Sequence, residues 1–189
     1  MGNCYERFAG EAGRILSRPR SVPPRVLTCM EILPISDQST YCRRLRRVIH
    51  AAVSLSCVQD FEREVLEDVG IPTWFACLTD DASAGGAFPE EAREGVRGYF
   101  EDRGGEEWDL QEWLFMFDPD LRSWSWWDVA GHGDGRIFLY IDTKGEMPVP
   151  CEELWWAVFA SGAQAVDGPF LVPSEQWEEK PSIGTVPAE

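Results

Sequence analysis

Histidine and lysine are scarce in this 189-residue chain, and the absences narrow its chemistry. His50 and His132 are the only histidines, and neither is accompanied by a nucleophile-elbow sequence, so Ser-His-Asp or Cys-His catalysis has little to work with. The six cysteines, at 4, 29, 42, 57, 77 and 151, form no C-x-x-C pair and no disulfide or zinc spacing. No metal site or cofactor is expected. A phosphate-binding Walker loop, a dinucleotide-type glycine fingerprint and an EF-hand loop are all missing, and "GHGDG" at 131–135 is short enough to be a hairpin turn. No apolar run approaches a membrane span, and arginines interrupt the first thirty residues where a secretory signal would need a continuous apolar core. The expectation is a cytoplasmic protein with free thiols and no membrane contact.

Acid is what the chain does have. Its net charge is -16, split unevenly: residues 1–50 carry nine Arg against four Asp or Glu, while residues 51–189 carry eight basic and twenty-nine acidic side chains. An acidic body repels nucleic-acid phosphates and attracts basic protein surfaces. With 44% hydrophobic residues, nine Trp and ten Phe, the chain is also too apolar for wholesale disorder. One ordinary-sized domain is the expectation.

Along the chain, residues 1–35 contain "SRPRSVPPR" and no sustained period, and read as a disordered or loosely attached lead. Met30 opens "MEILPIS" and offers an alternative start. A single domain is expected over 36–177, followed by an acidic flexible tail over 178–189. Within it, Tyr41, Leu45, Val48, Ile49, Ala52 and Val53 fall on a helical stripe beginning near Ser36. Val58, Phe61, Val65 and Val69 imply a second helix from Ser56 to Gly70, and a loop follows over Thr79 to Ala87. A third helix runs from Pro89 to Gly104, with Glu90 and Glu91 at its positive end.

Beyond Gly105 the period becomes extended. "EWDLQEWLFMF" at 107–117, "LRSWSWWDVAG" at 121–131 and "RIFLYIDTKG" at 136–145 predict a three-strand antiparallel meander. A two-residue turn at Asp134-Gly135 makes opposed residue numbers on the last two strands sum to 269. One face then collects Trp113, Phe115, Phe117, Trp124, Trp126, Ile137, Leu139 and Ile141 as core. The other mixes Glu112, Trp127, Val129, Phe138, Tyr140 and Asp142. A helix over 151–162 packs on the sheet with Trp155 inward and Trp156 off the stripe, and "AVDGPFLV" reads as a short last strand. The fold class is α+β.

The segment "WLFMFDPDLRSWSWWD" with "GRIFLYIDTKGEMPVPCEELWWAVFASGA" resembles small acidic proteins encoded in high-GC actinobacterial genomes, over residues 108 to 163 or so. That resemblance implies no activity, cofactor or site residue. In fold class and charge the chain is also similar to toxin-immunity proteins in general. The leading reading is a non-catalytic intracellular binding protein that meets a basic protein partner, with an immunity-like inhibitor as its specific form. Trp127, Tyr140, Glu112, Asp142 and Trp156 are its candidate contacts. The alternative is a carboxylate-dependent hydrolase using Glu112 and Asp142 on the mixed sheet face. A third reading, nucleic-acid contact through Arg43, Arg44, Arg46 and Arg47, is opposed by the acidic body.

Overall fold

The segment expected to be a loose lead supplies the centre of the sheet. In the computed structural model, which describes residues 4–79, 88–104, 107–131 and 133–185, Val26–Pro34 forms strand β1. Residues 80–87 of the expected loop, and His132, lie outside those described. Strands β2 (Ser125–Gly131), β3 (Ile137–Asp142) and β4 (Ala163–Pro173) complete a four-stranded antiparallel sheet in the order β2-β3-β1-β4. β1 shows no polar alternation because both its faces are covered. Met30 and Ile32 enter the main core, while Leu27 and Cys29 enter a smaller cluster on the opposite face. Thr28 and Thr143 share a buried hydroxyl hydrogen bond of 2.7 Å.

The helices are α1 (Cys4–Leu16), α2 (Gln38–Ser56), α3 (Thr73–Thr79), α4 (Glu90–Arg103), α5 (Leu110–Phe115), α6 (Glu152–Ala160) and α7 (Glu175–Glu178). None is long and apolar enough to cross a membrane, among the described residues. α2 begins where the Asp37 side chain accepts from the Thr40 N–H, and its stripe of Tyr41, Leu45, Val48, Ile49, Ala52 and Val53 is buried as the period predicted. α4 ends on Gly104 in the left-handed region. It lies so close to α6 that a Cβ at Gly95 would stand 1.9 Å from the Phe159 carbonyl oxygen. α1, from the lead, packs on α2 and β2.

Two predicted elements are replaced. Residues 57–72 are irregular, and Val58, Val65 and Val69 are exposed. Three of the four stripe residues there are β-branched, a poor basis for a helix. Gln59 instead clasps Glu67 through both its backbone N–H and C=O. The first strand of the meander is the helix α5. Asp109 accepts from the N–H groups of Gln111 and Glu112, and Leu110, Trp113, Leu114 and Phe117 form a buried i, i+3, i+4, i+7 stripe. Aromatic density was compatible with either period, and the cap decides it.

β2 and β3 pair as expected, but opposed numbers sum to 268 from Asp128 to Gly131, as in Val129↔Leu139, because the connection is longer than a two-residue turn, and to 267 at Ser125 and Trp126. A bulge falls between Trp126↔Ile141 and Asp128↔Tyr140. It sends Trp126 and Val129 to the same core face, correcting Val129, and leaves Trp127 on the opposite face beside Tyr140. β4 is longer than the short strand anticipated. The C-terminal segment is also docked: Ser182 bridges Ala130, the Ile183 N–H donates to the Val129 carbonyl and the Gly131 N–H donates to the Pro181 carbonyl. Residues 181–183 thus form a strap along the outer edge of β2, where unpaired backbone groups would otherwise face water.

Candidate functional site

The five candidate contacts do not converge. Trp127 is 5% exposed and Tyr140 is 1% exposed. They do share a face, but Trp177 of α7 closes it, its ring meeting Trp127 edge-on at 5.5 Å, while the Arg14 guanidinium lies 5.4 Å from the Trp127 ring centre. Trp156 is fully buried between Tyr99 and Phe100 of α4. Asp142 accepts from the Lys144 N–H and shapes the turn after β3. Glu112 alone is exposed, and it lies on α5, off the sheet. Glu112 and Asp142 therefore share no sheet face, which removes the geometry on which the hydrolase alternative rested.

The arginine cluster is dispersed in the same way. Arg46 is fully buried, donating to Asp128 Oδ1 at 2.7 Å and to the carbonyls of Ile15 and Ile183. Asp128 also accepts from its neighbour's N–H at Val129, from Trp177 Nε1 at 2.9 Å and from the Ser182 hydroxyl. One buried ion pair thereby joins α1, α2, β2, α7 and the strap. Arg44 pairs with Glu91, and Arg43 donates to Ser39 and Thr40 on its own helix. The spacing held the clue, since Arg46 falls on the Cys42, Ile49, Val53 stripe at i+4 from Cys42. A second buried pair, Arg122 with Glu11 at 2.7 Å, ties the lead to the chain entering β2, where Glu11 also accepts from the Trp126 N–H.

Glu153, in the first turn of α6, is the remaining buried carboxyl among the described residues. Burial pushes its pKa up to about 7, against the opposing effects of a 2.6 Å hydrogen bond from Trp124 Nε1 and of the Arg122 charge. In the unfolded chain the group ionises near 4.5. Its contribution to stability is therefore fully present below pH 4.5, is lost as pH rises towards 7 and stays lost above, a swing of about 3 kcal/mol. Glu153→Gln will consequently raise the urea midpoint more at pH 8 than at pH 5. Equal shifts at both values would show that the carboxyl ionises as in water.

A groove stays open on the α5 side of the molecule. Leu66, Trp108, Phe115 and Met116 give it an apolar lining, and Arg63, Glu64 and Glu112 stand among them, enclosing about 560 Å³. Phe115 is 42% exposed, its ring meeting Phe61 edge-on at 6.2 Å. Gln111 fixes one wall by accepting from the Leu66 N–H at 2.7 Å and donating back to the Leu66 carbonyl. The two segments that build it, 57–72 and 108–121, hold nine carboxylates against a single arginine. Asp60, Asp109 and Asp118 are occupied by turns and a cap, but Glu62, Glu64, Glu112 and Asp120 make no ion pair among the described residues. An acidic, partly aromatic concavity of this kind suits a cationic side chain with an apolar neighbour. No group of three or more His, Cys, Asp or Glu among the described residues is placed to hold a metal ion.

The fold and groove define an α+β protein with an acid-flanked surface cleft. The chain matches no protein-family model, no curated protein and no solved structure.

Proposed function

We propose that this chain is a non-catalytic cytoplasmic binding module, immunity-like in character, that takes a basic amphipathic segment of a protein partner into the α5 groove. The observation that carries the reading is the combination of exposed Phe115 with nine carboxylates on the two segments around it. Apolar contact at Phe115 would supply affinity, while the acidic flanks would steer encounter and select a cationic partner. Of the residues read from the sequence, Glu112 remains as a contact, and Trp127, Tyr140 and Trp156 act from inside the fold.

The test uses the full chain and a lysine-rich amphipathic helical peptide bearing leucine and phenylalanine. Affinity is expected to fall about tenfold or more between about 50 and 500 mM salt. Glu112→Lys should weaken binding at low salt. Phe115→Ala, which alters no charge, should weaken it at every salt concentration. Binding indifferent to Phe115→Ala would reduce the interaction to bulk charge and remove the groove from the account.

A further inference from the structure

A second groove, of about 590 Å³, is bordered by Val69, Gly70 and Pro72 of the 57–72 segment, and Arg47 is the charged side chain in its lining. We propose that it binds a small aromatic monocarboxylate. One wall is the face of α2 that the core leaves uncovered, where Arg47, His50 and Ser54 follow one another at i, i+3 and i+7. Trp74, at the start of α3, and Leu16, at the end of α1, line it as well. The volume lies within the range of small-molecule sites, and a few convergent polar groups in an apolar cleft are what such sites share.

Charge selects the ligand. The chain has thirty-three acidic residues, yet none of those among the described residues lines this groove. The neighbouring arginines of α2 are engaged: Arg44 by Glu91, Arg46 by Asp128 and Arg43 by its own helix. Arg47 is exposed and forms no ion pair among the described residues. Its guanidinium fork is suited to a carboxylate. Partial burial lowers the pKa of His50, so near neutral pH the imidazole supplies a hydrogen bond and not a second positive charge. His50 Nε2 and Ser54 Oγ stand 3.5 Å apart, a weak contact that a ligand oxygen would improve. One cation with neutral donors favours a monoanion over a phosphate dianion, and the Trp74 indole favours an aromatic ring.

Phenylacetate, its neutral amide phenylacetamide and inorganic phosphate are titrated into isotope-labelled full-length protein, and the Trp74 indole N–H and His50 ring signals are followed by NMR. Phenylacetate should give saturable shifts at both residues. Arg47→Gln should weaken it about tenfold or more, down to the affinity of phenylacetamide. Phenylacetamide binding as tightly as phenylacetate, phosphate displacing phenylacetate, or no saturable shift up to about 10 mM would each overturn the assignment. Phe115→Ala should leave these shifts unchanged, so this groove and the α5 groove stand or fall separately.

Discussion

Asp128→Ala will lower the unfolding free energy by about 3–5 kcal/mol, because it leaves the Arg46 guanidinium charged and buried without its carboxylate. The loss is larger than that of one contact. Asp128 receives Arg46, the Val129 N–H, Trp177 Nε1 and the Ser182 hydroxyl, so its removal orphans donors on four separate elements. A double change, Arg46→Met with Asp128→Leu, should cost less than either single substitution, since it removes the charge together with its partner. Urea titrations of the three variants measure this directly. If the double variant proves less stable than both singles, the pair contributes net stability and the desolvation argument is wrong for this site.

A chain beginning at Met30 will show no cooperative thermal transition. It would lack α1 and the first half of β1, which pairs Val26 to Cys29 with Pro173 to Phe170 of β4. Ile15 and Leu27 are fully buried, and burying each contributes about 1.5–3 kcal/mol. Loss of Glu11 breaks the buried ion pair with Arg122, which lies against Trp124, and breaking such a pair costs about 3–5 kcal/mol. These losses sum to roughly the whole stability of an ordinary domain, about 5–15 kcal/mol. Calorimetry of the 30–189 fragment decides the matter. A cooperative melt within about 10 °C of the full chain would make the first twenty-nine residues an accessory.

The elements legible in the sequence are those whose signals are local. α2, α4 and α6 carry long apolar periods with a cap or an acidic first turn, and β2 and β3 flank a glycine-rich turn. β1 was hidden because a strand covered on both faces has no alternation, and Pro23, Pro24 and Arg25 beside it read as linker. The site was obscured for a related reason. Trp127 and Tyr140 were rightly placed on one face, but the ring that covers them, Trp177, lies fifty residues from Trp127 in a segment whose charge suggested a tail. The α5 groove depended on reading 107–117 as a helix, and only the Asp109 cap separated the two periods.

The path of the chain through the sheet also sets the order in which it can be made. β1 is synthesised early, yet both its neighbours come late: Thr28 pairs with Ile141 and with Leu171. Asp128 in turn waits for Trp177 and Ser182, and Arg46 for Ile183. On the ribosome, then, α2 can coil as it emerges, but the sheet has no centre until β3 and β4 leave the tunnel, and the buried ion pair stays wet until the strap arrives. Such a sheet closes late relative to its first strand, and the long exposure of aromatic β-segments before β4 emerges makes the heavy acidic charge a safeguard of the nascent state as much as a property of the finished surface.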